Sequence, residues 1–453
     1  MSDAPSRTAT AHEESARGAL ADEAARLDAA DELAAVRDRF ALDDGVTYLD
    51  GNSLGALPRA VPGRMADVIE REWGRLRIHA WEKSGWWTAP ERIGDRIAPL
   101  IGAAPGQVVV GDSTSVNVFK AVVAAVRMAG EGRDELLVDA STFPTDGYIA
   151  RSAARLTGCR VRAVEPADVG QAAGPRTAAA LVNHVDYRTG RLHDLPGTTA
   201  AVHAAGARVV WDLCHSAGAL PVGTDEHGVD FAVGCTYKYL NGGPGAPAYL
   251  YVRRELQPAF DSPLPGWNSH ADPFGMAASY TPADGSLRGR VGTPDILSML
   301  ALEAALDVWD GVAIEAVRSK SLALTDFFLR CVGHYVPLGR VESVTPAAHT
   351  ERGSQIALRC ADAGAVMRGL VGRDVVGDFR RPDVLRFGFT PLYTSFADAE
   401  RAARVLADVL EVQIAPAEPG APAGPGAAAE PDGGGGPDGG AGAGVPADER
   451  NGV

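Results

Sequence analysis

The chain has 453 residues and 47.1 kDa, more than one hydrophobic core usually supports, so two lobes are expected. Hydrophobic residues make up 46% and charged residues 22%, the balance of a soluble globular protein rather than a disordered one. Against 58 acidic side chains stand 43 basic ones, a net charge of −15 without basic runs, which excludes nucleic acid and anionic membranes as expected partners.

The first 30 residues are polar and acidic and lack an apolar signal-peptide core. From about Glu13 to Phe40, leucines at helical spacing (Leu20, Leu27, Leu33) predict helix. YLDGNSLG at 48–55 then predicts a structured loop, and 59–83 returns to helix. Between 97 and about 255, apolar runs at 107–110, 135–138, 160–164, 179–185, 208–211, 231–235 and 248–252 alternate with helix-like segments such as Asn117–Met128 and Thr198–Gly206. Such alternation predicts an α/β fold with a mainly parallel central sheet covered by helices on both faces. Ile296 to about Leu329 reads as one long helix leading into a smaller C-terminal α+β lobe with strands in QIALRC and VLRFGF and a last helix over Phe396–Leu410.

The expected division is a disordered 1–12, a helix and loop over 13–60 packing with the small lobe, a large domain over 61–305, a small domain over 306–415, and a disordered Gly/Pro/Ala-rich tail over 416–453. Five scattered cysteines without metal-ligand spacing predict reduced thiols and a cytoplasmic protein. No apolar stretch approaches the length of a membrane span, and no metal site is expected.

The most informative segment is TYKYLNGGPG, which places Lys238 after an apolar run and before a glycine-rich turn. A lysine at a strand end is usually solvated, and an aspartate after an apolar run usually forms a turn or caps a helix. Here Asp212 closes the run VVWD, His215 follows three residues on, and Lys238 sits one strand further along. Together they point to a lysine whose amine attacks a bound aldehyde and an acid that pairs with a ring nitrogen. The cofactor with both requirements is pyridoxal 5'-phosphate.

Its phosphate needs free N–H groups at a helix N-terminus, and GDSTSVN after the first strand supplies them with the Thr114 and Ser115 hydroxyls. In FPTD, Phe143 is placed to stack on the ring, with Pro144 beside it and Thr145 or Asp146 to hydrogen-bond it. PGW with Trp267, and RVGTP with Thr293, read as functional loops. Arg386, inside the apolar strand VLRFG, wants a bidentate anion, either an internal carboxylate or that of an amino-acid substrate.

Ten blocks in order resemble the kynureninases, fold-type-I pyridoxal phosphate enzymes that cleave L-kynurenine to anthranilate and L-alanine. They are YLDGNSLG, VNV, FPTD, DYRTG, WDLCHSAG, TYKYLNGGPG, PGW, RVGTP, TERGSQ and RFGFTPLYTSF, spread from Tyr48 to about Leu410. The resemblance implies that Lys238 bonds the cofactor and shuttles protons, Asp212 pairs with the ring nitrogen, His215 lies near the ring, and Tyr237 reaches the phosphate. It implies Thr114, Ser115 and Phe143 to Asp146 around the cofactor, and Trp267 and Thr293 contributed from a neighbouring subunit, hence a homodimer. Arg386, with Trp81, Asn52 and Ser53, would bind the substrate.

Some positions depart from the family's commoner pattern. Thr114-Ser115 stands where Leu-Thr is common, and Asn183 where animal members carry a small hydroxyl residue. Trp81 and Thr293 match the bacterial type, which favours kynurenine over its 3-hydroxy form. Two rivals share the fold: a cysteine desulfurase or selenocysteine lyase, with Cys360 as the sole candidate nucleophile, and a non-catalytic cofactor-binding homologue. Apolar neighbours around Cys360 predict an inert thiol, and intact Lys238, Asp212, His215 and Arg386 argue for catalysis.

Overall fold

A computed structural model describes residues 7–412, with side chains from Gly18 onward. The expectations for residues 1–6, for the last three residues of the small domain (413–415) and for the tail at 416–453 lie outside the described residues.

Seven strands build the central sheet: β1 (Val108–Val110), β2 (Glu135–Asp139), β3 (Arg160–Val164), β4 (Thr177–Asn183), β5 (Arg208–Asp212), β6 (Phe231–Gly234) and β7 (Tyr249–Val252). Their order is β1-β7-β6-β5-β4-β2-β3. Strands β3, β2, β4, β5 and β6 run parallel, while β7 is antiparallel to β6 and β1 to β7.

The sequence explains this directly. Every residue of β4 is buried, as in a strand sandwiched between helical layers. Alternate side chains sort to opposite faces. Ala180, Val182, Val209 and Trp211 join one core, and Ala179, Leu181, Val210 and Val233 join the other. Because the five strands are parallel, their carboxyl ends collect Asp139, Asn183 and Asp212 along one rim, and Gly234 leads from that rim to Lys238.

A second, antiparallel sheet contains β8 (Glu342–Ser343), β9 (Gln355–Arg359), β10 (Asp378–Arg380) and β11 (Val384–Gly388), in the order β10-β11-β9-β8. Helices Ile314–Tyr335 and Phe396–Val412 close its core around Leu324, Phe328, Phe387 and Leu406. Ala24 of the N-terminal helix belongs to the same core.

Two helical expectations change. The N-terminal helix spans Arg7–Ala29, starting inside the stretch expected to be disordered and ending eleven residues before Phe40, with only a short 3-10 helix over Ala34–Arg39 beyond it. The long helix expected from Ile296 is two helices, Ile296–Ala305 and Ile314–Tyr335. Asp310-Gly311 separates them: Gly311 has φ +75°, a left-handed conformation that stops a helix and that glycine adopts at least cost.

Candidate active site

Parallel pairing of β5 and β6 brings the loops after them together, and so joins residues far apart in sequence. Lys238 Nζ lies 3.0 Å from His215 Nε2. It also sits 5.9 Å from the centre of the Tyr237 ring. Burial first, and the Lys238 charge second, hold His215 well below the ordinary histidine range, so the imidazole is neutral. A neutral imidazole can accept a hydrogen bond from the Lys238 amine.

Asp212 ends β5, and its Oδ1 accepts a hydrogen bond of 2.6 Å from the Cys214 N–H. Asp146, in the first turn of helix Pro144–Thr157, faces it. Both carboxyls are buried, Asp146 to 3% exposure and Asp212 to 5%. Burial, then the Asp212 charge, raises Asp146 well above the usual carboxylate range. Two buried acids sharing one place suit a site built to receive a cationic N–H.

The Ser113-Thr114-Ser115 turn divides its hydroxyls. Ser113 caps helix Thr114–Arg127 by accepting from Val116 N, so the ordinary capping role falls to Ser113. Thr114 Oγ1 lies 3.9 Å from Cys214 Sγ, and Thr114 and Ser115 line a cavity of 530 Å³ with Asp112, Tyr237, Arg290 and Thr293. Lys120, buried in the same helix, donates to Asp112 at 2.8 Å and to the Gly289 carbonyl at 2.7 Å, tying this turn to the loop that carries Thr293.

Phe143 is 44% exposed and meets Tyr187 edge-on with ring centres 5.2 Å apart. Pro144 and Thr145 begin the helix that carries Asp146. Asn183 donates its amide to Thr142 Oγ1, so its side chain braces the loop before Phe143.

Arg386 sits at the centre of β11 with its side chain 1% exposed. Both alternatives for its partner were open in the sequence; within the chain that partner is Asp378, directly across the strand pair. Arg386 Nη1 also donates to the Tyr187 carbonyl at 2.5 Å, and Nη2 to Ser53 Oγ at 3.2 Å. Asn52 Nδ2 donates to Gln355 Oε1 at 3.2 Å in the same wall.

Trp81 is in a different neighbourhood. Its ring centre lies 5.9 Å from Trp86 and 6.3 Å from Trp87, and with Trp87, Trp267, Phe274 and Thr293 it lines an apolar cavity of 790 Å³. Arg290 braces Trp87, one wall of this cavity: it pairs with Glu91, donates to the Trp87 carbonyl at 3.1 Å and to Asn268 Oδ1 at 3.3 Å, and stacks over the Trp87 ring. Breaking so buried an ion pair costs about 3 kcal/mol or more. Arg290→Met should therefore lower the urea midpoint clearly, and an unchanged midpoint would remove the bracing role.

Sequence reasoning missed Asp378, Arg380, Cys214 and Lys120. Only Asp378 and Arg380 left a usable trace, since DFR and VLR can pair as alternating strands with their charged residues on one face.

Comparison with known proteins decides the family. Kynureninase from Deinococcus radiodurans is 49% identical over 397 residues, 86% of this chain and 96% of that protein. The chain belongs to the kynureninase family. Kynureninase from Burkholderia pseudomallei is 47% identical over 403 residues with the same coverage, and residues 317–406 match the family's C-terminal domain profile. Among solved structures, a cysteine desulfurase from Escherichia coli superposes with a TM-score of 0.72 at 20% identity, over 84% of this chain and 99% of that one. A cysteine desulfurase from Thermococcus onnurineus gives 0.71 at 18% identity, over 83% and 98%. These place the family's fold in the fold-type-I class. The desulfurase alternative gains nothing from Cys360, which is buried at 4% exposure with its thiol pushed up to about 11, chiefly by burial.

Proposed function

We infer that this protein is a kynureninase, which hydrolyses the Cβ–Cγ bond of L-kynurenine with pyridoxal 5'-phosphate to give anthranilate and L-alanine. The observation that carries the reading is the Lys238–His215 contact beside the buried Asp146 and Asp212 carboxyls, in a chain of this family. The residues fit the cofactor. Among the described residues, Asp146 Oδ2 and His215 Nδ1 are buried without a partner, and the Thr114-Ser115 turn opens on a cavity of suitable chemistry for phosphate.

When bound, the cofactor withdraws the electron pair left by the substrate's α-proton and later by its broken Cβ–Cγ bond. Lys238 would provide the amine that holds it and would carry the α-proton away and back. Asp212, with Asp146 facing it, would hold the ring N–H, and neutral His215 would orient Lys238. Tyr237, which lines the same cavity and lies beside Lys238, would reach the phosphate and assist the proton transfers. Phe143 would cover the ring, and Pro144 and Thr145 begin the helix that carries Asp146. Arg386, flanked by Asn52 and Ser53, grips the substrate carboxylate. One water is consumed: its oxygen adds to the γ-carbonyl carbon and leaves in the anthranilate carboxylate.

The working form is a homodimer in which Trp267 and Thr293 serve the neighbouring subunit's cofactor. Supporting this are exposed apolar side chains lining the aromatic cavity with Trp267 and Thr293, Ile78 at 73% and Phe274 at 70% exposure. Trp81 and Thr293 favour kynurenine over 3-hydroxykynurenine. The domains divide as 61–305 and 306–415, each with its own sheet, and five free cysteines suit the cytoplasm.

Incubating the purified protein with pyridoxal phosphate and each substrate tests the reading. Anthranilate fluorescence should appear, with a smaller kcat/KM for release of 3-hydroxyanthranilate. Cofactor uptake without either product would leave a binding homologue in place of the enzyme.

A further inference from the structure

Arg386 is held in a way that a simple carboxylate clamp does not need. Asp378 stands directly opposite it across the β10–β11 pair, and Arg380 lies two residues along β10, on the same face as Asp378. One oxygen, Asp378 Oδ2, receives three donors. They are Arg386 Nη2, Arg380 Nη2 at 2.9 Å and Ser53 Oγ at 3.3 Å. Arg386 Nη1 is committed to the Tyr187 carbonyl. The Nε of Arg386 is buried without a partner. A carboxylate gripping Arg386 by two parallel bonds therefore has one edge open to it, Nε and Nη2, and Asp378 already occupies half of that edge.

We propose that Asp378 is a place-holder for the substrate carboxylate on Arg386, and that Arg380 is the partner that keeps it when the substrate arrives. This rests on Arg386 being the carboxylate-binding residue. The exchange costs little because Asp378 never loses all its donors: giving up Arg386 leaves it with Arg380 and Ser53. β10 is the edge strand of its sheet, so a small shift breaks no second ladder of hydrogen bonds. Exposure grades in the same sense, from 1% for the Arg386 side chain to 19% for Asp378 and 38% for Arg380, so the place-holder moves outward toward water. The arrangement also covers a buried guanidinium that would otherwise stand unpaired before substrate binds.

The test uses the holoenzyme and 4-oxo-4-phenylbutanoate, a carboxylate with the aryl ketone of the substrate but no amine to react with the cofactor. Its Kd is read by calorimetry. Arg386→Gln should weaken binding at least tenfold; no change would overturn the reading of Arg386 itself. Given that loss, Asp378→Asn should tighten binding about three- to tenfold, because the competing charge is gone and the shape is kept. Damage to the site could only weaken binding, so tightening separates competition from a structural role. Arg380→Gln should weaken binding about tenfold when Asp378 is present and no more than about threefold in the Asp378→Asn background. If the asparagine variant does not fold, Asp378→Ser carries the same expectation. Weaker or unchanged binding in the Asp378 variants, or equal effects of Arg380→Gln in both backgrounds, overturns the proposal.

Discussion

Replacing Lys238 with alanine should abolish steady turnover of L-kynurenine, by more than about a thousandfold in kcat. On the proposed reading two functions vanish with one amine: the group that bonds the cofactor and the base that moves the α-proton. His215 cannot stand in for it. Burial keeps that imidazole neutral and poorly basic, and its 3.0 Å contact is with the lysine itself. Cofactor retention should fall much less than turnover, since the Thr114-Ser115 turn and the Asp146–Asp212 pair remain. The measurements are anthranilate release and the absorbance band of lysine-bound cofactor, which should be missing. Turnover near the wild-type rate would sink the assignment of Lys238.

The contrast between these residues and Asp378 explains how much was legible in the chain. Most strands of the large sheet stood out because a strand buried on both faces leaves a continuous apolar run, as in Thr177–Asn183, whereas the edge strand Arg160–Val164 is largely exposed. Asp212 stood out because it ends such a run and Lys238 because it follows just past another, and a parallel sheet gathers run-ends on one rim. Their partners were legible only through motif: Asp146 is distant in sequence from Asp212, and only the strand order β5-β4-β2 makes them neighbours. Asp378 was not found, because its meaning depends on the exact register of a short antiparallel pair, where a slip of one residue would turn it to the other face. Helix ends failed for a local reason. The pattern of apolar residues continues across Asp310-Gly311, whereas the backbone turns there with Gly311 at positive φ. Trp81 was placed among substrate residues on resemblance alone. Within one chain it joins the aromatic cavity with Trp267 and Thr293, the two residues expected to serve a second subunit.

Arg386→Lys should raise KM for L-kynurenine and lower kcat/KM by roughly ten- to hundredfold, the equivalent of one lost charge-assisted hydrogen bond of about 1.5–3 kcal/mol. The charge is retained, so any loss reports geometry. A guanidinium in this place spends Nη1 on the Tyr187 carbonyl at 2.5 Å and Nη2 on Ser53 and Asp378, and still has Nε to offer. A single ammonium cannot hold the Tyr187 carbonyl and present two parallel donors to a carboxylate as well. Asp378 makes the loss larger, since a lysine drawn to that carboxylate has no second edge left for the substrate. Cofactor affinity should scarcely move, because none of the groups at the Thr114-Ser115 turn, at Asp212 or at Lys238 hydrogen-bonds Arg386. Fluorimetric anthranilate kinetics and a cofactor titration on the same preparation give both numbers. If the variant loses pyridoxal phosphate or unfolds while kcat/KM per bound cofactor stays normal, Arg386 serves the packing of the second sheet, and the substrate's carboxylate is held elsewhere.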